Sequence, residues 1–266
     1  MKPNPAGWRP YEHGPRSTVV GTLLVSDPLE ASSLGRTIEL LAWLPDGRTP
    51  AGGSTALYMH DGQNLFDDET SYSGEWKVDE TLAAMGSTAV AIGVPNAPDR
   101  RHVEYCPWPN SYEQSVLGSE YARWLVEVGK PFCEETLPIS RARERTCVMG
   151  SSLGGVISLY LLLEYPDQFG CVGSMSTAAW WTPDIWPYLD TVESRHARVY
   201  IDTGTAEMPE DPVMSEAYVD SFHRLRSWFV DAGYGEDLLT VVEEGAIHQE
   251  SAWARRLRPA LEFLLA

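Results

Sequence analysis

The chain has 266 residues, 43% of them hydrophobic, with 38 acidic against 20 basic side chains and a net charge of −18. This length fits one α/β domain whose core needs no disulfide staples, and the hydrophobic content excludes a disordered chain. The acidic balance argues against nucleic acid or an anionic membrane as partner, since both need clustered positive charge.

Residues 1–16 hold four prolines and two glycines, which predicts an irregular N-terminal arm. Residues 18–25 (TVVGTLLV) and 37–44 (TIELLAWL) are strand-like and, with the strand at 55–59, are expected to form an antiparallel edge. After a Pro/Gly-rich loop at 45–54, residues 55–59 (TALYM) predict a strand with HDGQNLFD at its exit. Ligand-facing loops of α/β sheets lie at such exits. Residues 76–85 are helical in character and 88–94 (TAVAIGV) a buried strand. A long connection follows at 95–117, and loops of that length are often functional. Residues 119–135 predict a helix whose apolar face carries Tyr121, Trp124, Leu125, Val128 and Phe132, kinked or split at Gly129 and Pro131.

Residues 146–149 (TCVM) predict a buried strand and 156–163 a buried helix. Beyond them lie a strand at 171–175, an aromatic loop at 176–191 and a strand at 199–203. A helix at 215–232 with Ser215 as N-cap, a strand at 238–242 and a closing helix at 251–265 complete the pattern. Strands alternating with helices predict a mostly parallel sheet covered on both faces. No internal repeat or linker divides the chain, so one domain over 1–266 is expected.

The four cysteines, Cys106, Cys133, Cys147 and Cys171, have no metal-ligand spacing and are expected to be free buried thiols of a reducing compartment. The opening residues lack the apolar stretch of a secretory signal, and no apolar run approaches the ~20 residues of a membrane span. The expectation is a cytoplasmic protein acting without metal or cofactor, since the six histidines are scattered.

Between the strand at 146–149 and its helix stands Gly150-Ser151-Ser152-Leu153-Gly154, a G-x-S-x-G. Strand, sharp turn and helix is the context of a nucleophile elbow, with Ser152 at the tip and the Leu153 N–H beside a forming oxyanion. A serine needs a base, and the base an orienter. His248, in the loop after the last strand, is the favoured base, with His60 its rival. Glu207, at the exit of the strand at 199–203, is the favoured acid, with Asp211 and Asp202 as alternatives. The second oxyanion donor is expected from Gln63, after His60-Asp61-Gly62.

These segments resemble the Putative esterase family of the α/β-hydrolase superfamily, which includes siderophore and feruloyl esterases and S-formylglutathione hydrolases. The resemblance is carried by TIELLAWLP (37–45), YMHDGQNLF (58–66), RHVEY (101–105), GSSLGG (150–155), YIDTGTAE (200–207) and GAIH (245–248). It implies Ser152 as nucleophile, Glu207 as acid, His248 as base, and Gln63 and Leu153 as oxyanion donors. The activity implied is hydrolysis of a small or aromatic acyl ester through an acyl-enzyme. Thioester hydrolysis, acyl transfer, or a non-catalytic binding module on the same scaffold are the alternatives. Arg101 and Glu104 are candidate holders of a polar substrate, and Trp108, Tyr112, Trp180 and Trp181 candidate walls of an acyl pocket.

Overall fold

The computed structural model describes residues 5–47 and 49–266; the first four residues of the expected N-terminal arm, and Arg48 in the loop at 45–54, lie outside them. The chain opens with Trp8–Pro10 (β1), Thr22–Ser26 (β2), Leu29–Ala31 (β3), Arg36–Ile38 (β4) and Leu41–Leu44 (β5). The central elements are Ala56–His60 (β6), Val78–Ala84 (α1), Val90–Val94 (β7), Arg101–Glu104 (α2), Gly118–Trp124 (α3) and Lys130–Thr136 (α4). Then come Thr146–Ser151 (β8), Leu153–Glu164 (α5), Cys171–Met175 (β9), Ile185–Leu189 (α6) and Arg198–Gly204 (β10). Pro212–Asp231 (α7), Leu238–Glu243 (β11) and Glu250–Leu264 (α8) close the chain.

One sheet runs in the order β1-β2-β5-β7-β6-β8-β9-β10-β11, and β3 and β4 pair separately. From β7 to β11 every neighbouring pair is parallel; the expected antiparallel edge holds for β2 and β5 and gains β1, but β6 lies inside the parallel part, between β7 and β8. Alternation along each strand sorts side chains to two cores. Tyr58, Ile92, Val148 and Ile201 face α3, α5 and α7, whereas Leu57, Met59, Cys147 and Tyr200 face α1 and α8. All four cysteines are buried free thiols.

The sheet fixes where a site can form. After β6 the chain moves outward to β7, then returns across β6 to β8. At that reversal the loops leaving β6 and β8 diverge, and their strand ends stand side by side, Met59 opposite Met149. The HDGQN turn and the Ser152 turn are therefore neighbours.

Several sequence expectations change. The N-terminal arm contains β1, because Trp8 is buried against Phe132 and its Nε1–H donates to Thr136 Oγ1 at 2.8 Å. Residues 18–20 are not strand. Their polar groups turn instead to carboxylates, Thr18 Oγ1 donating to Glu75 and the Val20 N–H to Asp79. The segment 37–44 divides into β4 and β5 because Leu40 is drawn onto Ser26, which holds both its N–H and its carbonyl. The helix at 119–135 passes through a wide π turn at Leu125–Gly129 just before Pro131, which has no N–H to continue the α ladder. The helix placed at 215–232 starts at Pro212, with Asp211 and not Ser215 as its N-cap.

Candidate active site

Ser152 has φ 59° and ψ −123°, a backbone conformation rarely adopted by a residue with a Cβ. The Ser152 N–H donates to the Met175 carbonyl at 2.9 Å, and its own carbonyl accepts from Gly155, Val156 and Ala178. Glycines permit the turn. A Cβ on Gly150 would stand 2.7 Å from the Gly154 backbone, and one on Gly155 would stand 2.5 Å from Ser174 Oγ. The strand and helix thus close to a distance that a larger residue would prevent.

The Glu207 carboxylate, on the loop leaving β10, is buried. Its Oε2 faces His248 Nδ1 at 2.7 Å, and the His248 N–H donates to the Glu207 carbonyl at 2.8 Å. Its Oε1 accepts from Ser176 Oγ at 2.6 Å and from the Gly204 N–H at 2.5 Å. Burial works to raise this acid, but the bonds from His248, Ser176 and Gly204 outweigh it and hold the carboxyl below its ordinary value. The Ser176 hydroxyl in turn accepts from Trp253 Nε1 at 3.0 Å and from Arg256 at 2.9 Å. The imidazole of His248 lies between two aromatic rings, Tyr218 at 4.7 Å and Trp253 at 5.0 Å. Its Nε2 approaches the Tyr218 hydroxyl at 3.4 Å.

A cavity of about 810 Å³ opens over the ends of β6 and β8, with Asp61, Gln63, Arg101, Ser152, His248 and Trp253 among its lining residues. The backbone N–H groups of Gln63 and Leu153 donate to no protein acceptor among the described residues. Asp61 holds the Gln63 turn in place: it adopts a left-handed conformation and accepts a two-pronged pair from Arg101 at 2.6 and 2.7 Å. Burial opposes ionisation of Asp61, yet Arg101 and Asn96 keep its carboxyl below the ordinary value.

The alternatives separate by position. His60 is buried, with Nδ1 2.8 Å from the Tyr121 hydroxyl and its ring between Tyr105 and Tyr121. Burial, helped by Arg101 and opposed by Asp61, pushes its pKa down to about 3, and it does not line the cavity. Asp202 pairs with Arg256 at 3.0 Å, and Asp211 caps α7 by accepting from the Met214 N–H. Neither contacts His248.

Of the candidate substrate residues, Arg101 lines the cavity, where it is tied to Asp61. Glu104 does not: it is fully buried in an ion pair with Arg36 at 2.7 Å, which joins α2 to β4. Trp108 packs on Tyr160 and Tyr188, so it serves the core beside α5. Trp181 stacks on Tyr112 at 4.3 Å, and Trp180 meets Tyr218 edge-on at 5.6 Å. None of these tryptophans lines the cavity; Tyr72, Trp76 and Trp253 do. Sequence reasoning also missed Ser176, Tyr218 and Asp61, whose roles come from contacts between distant segments.

One grouping among the described residues brings ligand atoms close enough to share a cation: Glu75, Asp79 and Glu80, with one atom each within 4.8 Å of the others. Burial raises Glu75 to about 7 and also raises Asp79, with Glu80 adding to the shift, so protons are retained in this cluster near neutrality. None of the three lines the cavity.

The parallel sheet, the strained serine turn and the buried acid–histidine pair at the strand exits together define an α/β-hydrolase-type protein. The chain belongs to the family described as Putative esterase, whose model matches residues 31–264. It is similar to the uncharacterized protein YbbA of Bacillus subtilis, 27% identical over 228 residues that cover 83% of this chain and 89% of that one. Its fold is shared with the enterobactin esterase FES from Shigella flexneri (TM-score 0.67, 18% identity, 96% of this chain), of which it spans 60%. It is shared also with the BES protein from Bacillus cereus (TM-score 0.69, 15% identity, 97% of this chain and 98% of that one). No helix among the described residues is long and apolar enough to cross a membrane.

Proposed function

We propose that the protein hydrolyses carboxylic esters through an acyl-enzyme on Ser152, with His248 as general base and Glu207 as its orienter. One observation carries the reading. Ser152 on its strained turn, His248 held 2.7 Å from Glu207, and Gln63 with its unpaired N–H line one cavity, and the unpaired Leu153 N–H follows Ser152 directly. With Glu207 accepting from Nδ1–H, the Nε2 lone pair is left to take the serine proton. Ser152 Oγ attacks the ester carbonyl, and Leu153 and Gln63 donate to the oxyanion. The alcohol then leaves with the proton from Nε2. Water, deprotonated by His248, releases the acid.

The similarity to an enterobactin esterase supports a siderophore-type or other small or aromatic acyl ester as substrate. The cavity is large enough for a ligand of that size. Four free thiols support a cytoplasmic setting, and the net charge of −18 supports a small-molecule partner over nucleic acid or membrane. Turnover of p-nitrophenyl acetate by purified wild type and Ser152→Ala tests the chemistry. The variant is expected to lose ~10³-fold or more in kcat. Equal rates would overturn the proposal.

A further inference from the structure

The nitrogen that must shuttle the proton, His248 Nε2, already has a neighbour. It is the hydroxyl of Tyr218, 3.4 Å away on α7, and the side chain is almost wholly enclosed. The ring is held on both sides, by the imidazole at 4.7 Å and by Trp180 edge-on at 5.6 Å. Helix α7 starts five residues after Glu207, capped by Asp211, so one short loop and one helix deliver partners to both nitrogens of the same imidazole. Burial pushes the Tyr218 hydroxyl up to about 12, with Trp180 and Ser152 as polar neighbours acting against that rise. The hydroxyl therefore keeps its proton across the working range and is available as a donor.

We propose that Tyr218 is a catalytic residue that hands its hydrogen bond from His248 Nε2 to the departing alcohol oxygen. The inference rests on the serine-esterase reading above. In the free enzyme Nδ1–H faces Glu207, so Nε2 carries a lone pair and Tyr218 Oη–H donates to it. When Ser152 Oγ bonds to the carbonyl carbon, Tyr218 Oη–H yields the Nε2 lone pair, and the serine proton takes it. The tyrosine donor loses its acceptor as negative charge builds on the leaving oxygen. As the carbon–oxygen bond breaks, its electron pair passes to that oxygen, which takes the proton from Nε2. Tyr218 donates a hydrogen bond to the same atom and keeps its own proton. In deacylation the attacking water occupies the same place, and the roles run in reverse.

A donor at the leaving oxygen matters most when the alcohol is a poor leaving group. Tyr218→Phe removes only the hydroxyl and preserves the ring contacts. The test compares ethyl acetate with p-nitrophenyl acetate, which share an acyl group and differ in leaving group. Rates are normalised to sites titrated with a fluorophosphonate, so that misfolded protein does not count. The loss in kcat/KM on ethyl acetate is expected to exceed the loss on p-nitrophenyl acetate by about tenfold or more. Equal fractional losses on both substrates, or no loss on either, would overturn the proposal and leave Tyr218 as a wall of the imidazole site. Failure of the underlying esterase reading shows separately, as full turnover by Ser152→Ala.

Discussion

Ser152 holds a conformation that costs on the order of 1–3 kcal/mol, and its surroundings over-determine it. Met175 fixes its N–H, while Gly155, Val156 and Ala178 fix its carbonyl. Glu207 is as firmly held, which makes its loss readable in two ways. Glu207→Gln keeps the size of the side chain but no longer favours the Nδ1–H tautomer of His248. We expect kcat on p-nitrophenyl acetate to fall by ~10³–10⁴-fold. The carboxyl lies below its ordinary 4.5 in the folded state, so its contribution to stability is present above that value and is lost as pH falls through the lower folded value. Thermal melts of the Gln variant should therefore show a shallower acid limb below about pH 4.5. An unchanged limb would show that the carboxylate is not held this way.

The elements position these residues more than any single contact does. The reversal between β7 and β8 puts the Gln63 turn beside the Ser152 turn, and β10 and β11 bring Glu207 and His248 to the same edge. Residues 18–20 are anchored by Asp79 of α1 and by Glu75 in the loop before it, whose acids burial raises. Their folded values stand above 4.5 and 3.8, so the stability they contribute is full at low pH and drains as pH rises, for Glu75 through about 7. Asp79→Asn retains an acceptor for the Val20 N–H and removes the ionisation. Its Tm should exceed that of wild type at pH 8, with a flatter slope between pH 5 and 8. Parallel melting curves for the two proteins would contradict this account of the α1 cluster.

Across the whole molecule, what the sequence made legible was what local pattern encodes. Short continuous apolar runs marked β6, β7 and β8, and G-x-S-x-G between strand and helix marked the elbow. The order of Glu207 and His248 along strand exits pointed to two side chains that the fold brings to 2.7 Å, and His248 shares a cavity with Ser152. Contacts between distant segments were not legible. Ser176 and Tyr218 have ordinary local contexts and meet the site only because β9, α7 and α8 converge there. Tryptophan-rich loops looked like pocket walls, yet Trp108 and Trp181 return onto other aromatics. Glu104 looked like a holder of a polar substrate, yet Arg36, 68 residues away, is its buried partner.

The central claim is that Ser152 becomes covalently acylated. Intact-mass and peptide mapping after treatment with a fluorophosphonate test it most directly, with wild type, Ser152→Ala and His248→Ala side by side. The account predicts one adduct per wild-type chain, mapped to Ser152, none on Ser152→Ala, and labelling of His248→Ala slowed by ~10²-fold or more. An unlabelled wild-type chain, or an adduct on another residue that persists in Ser152→Ala, would contradict it.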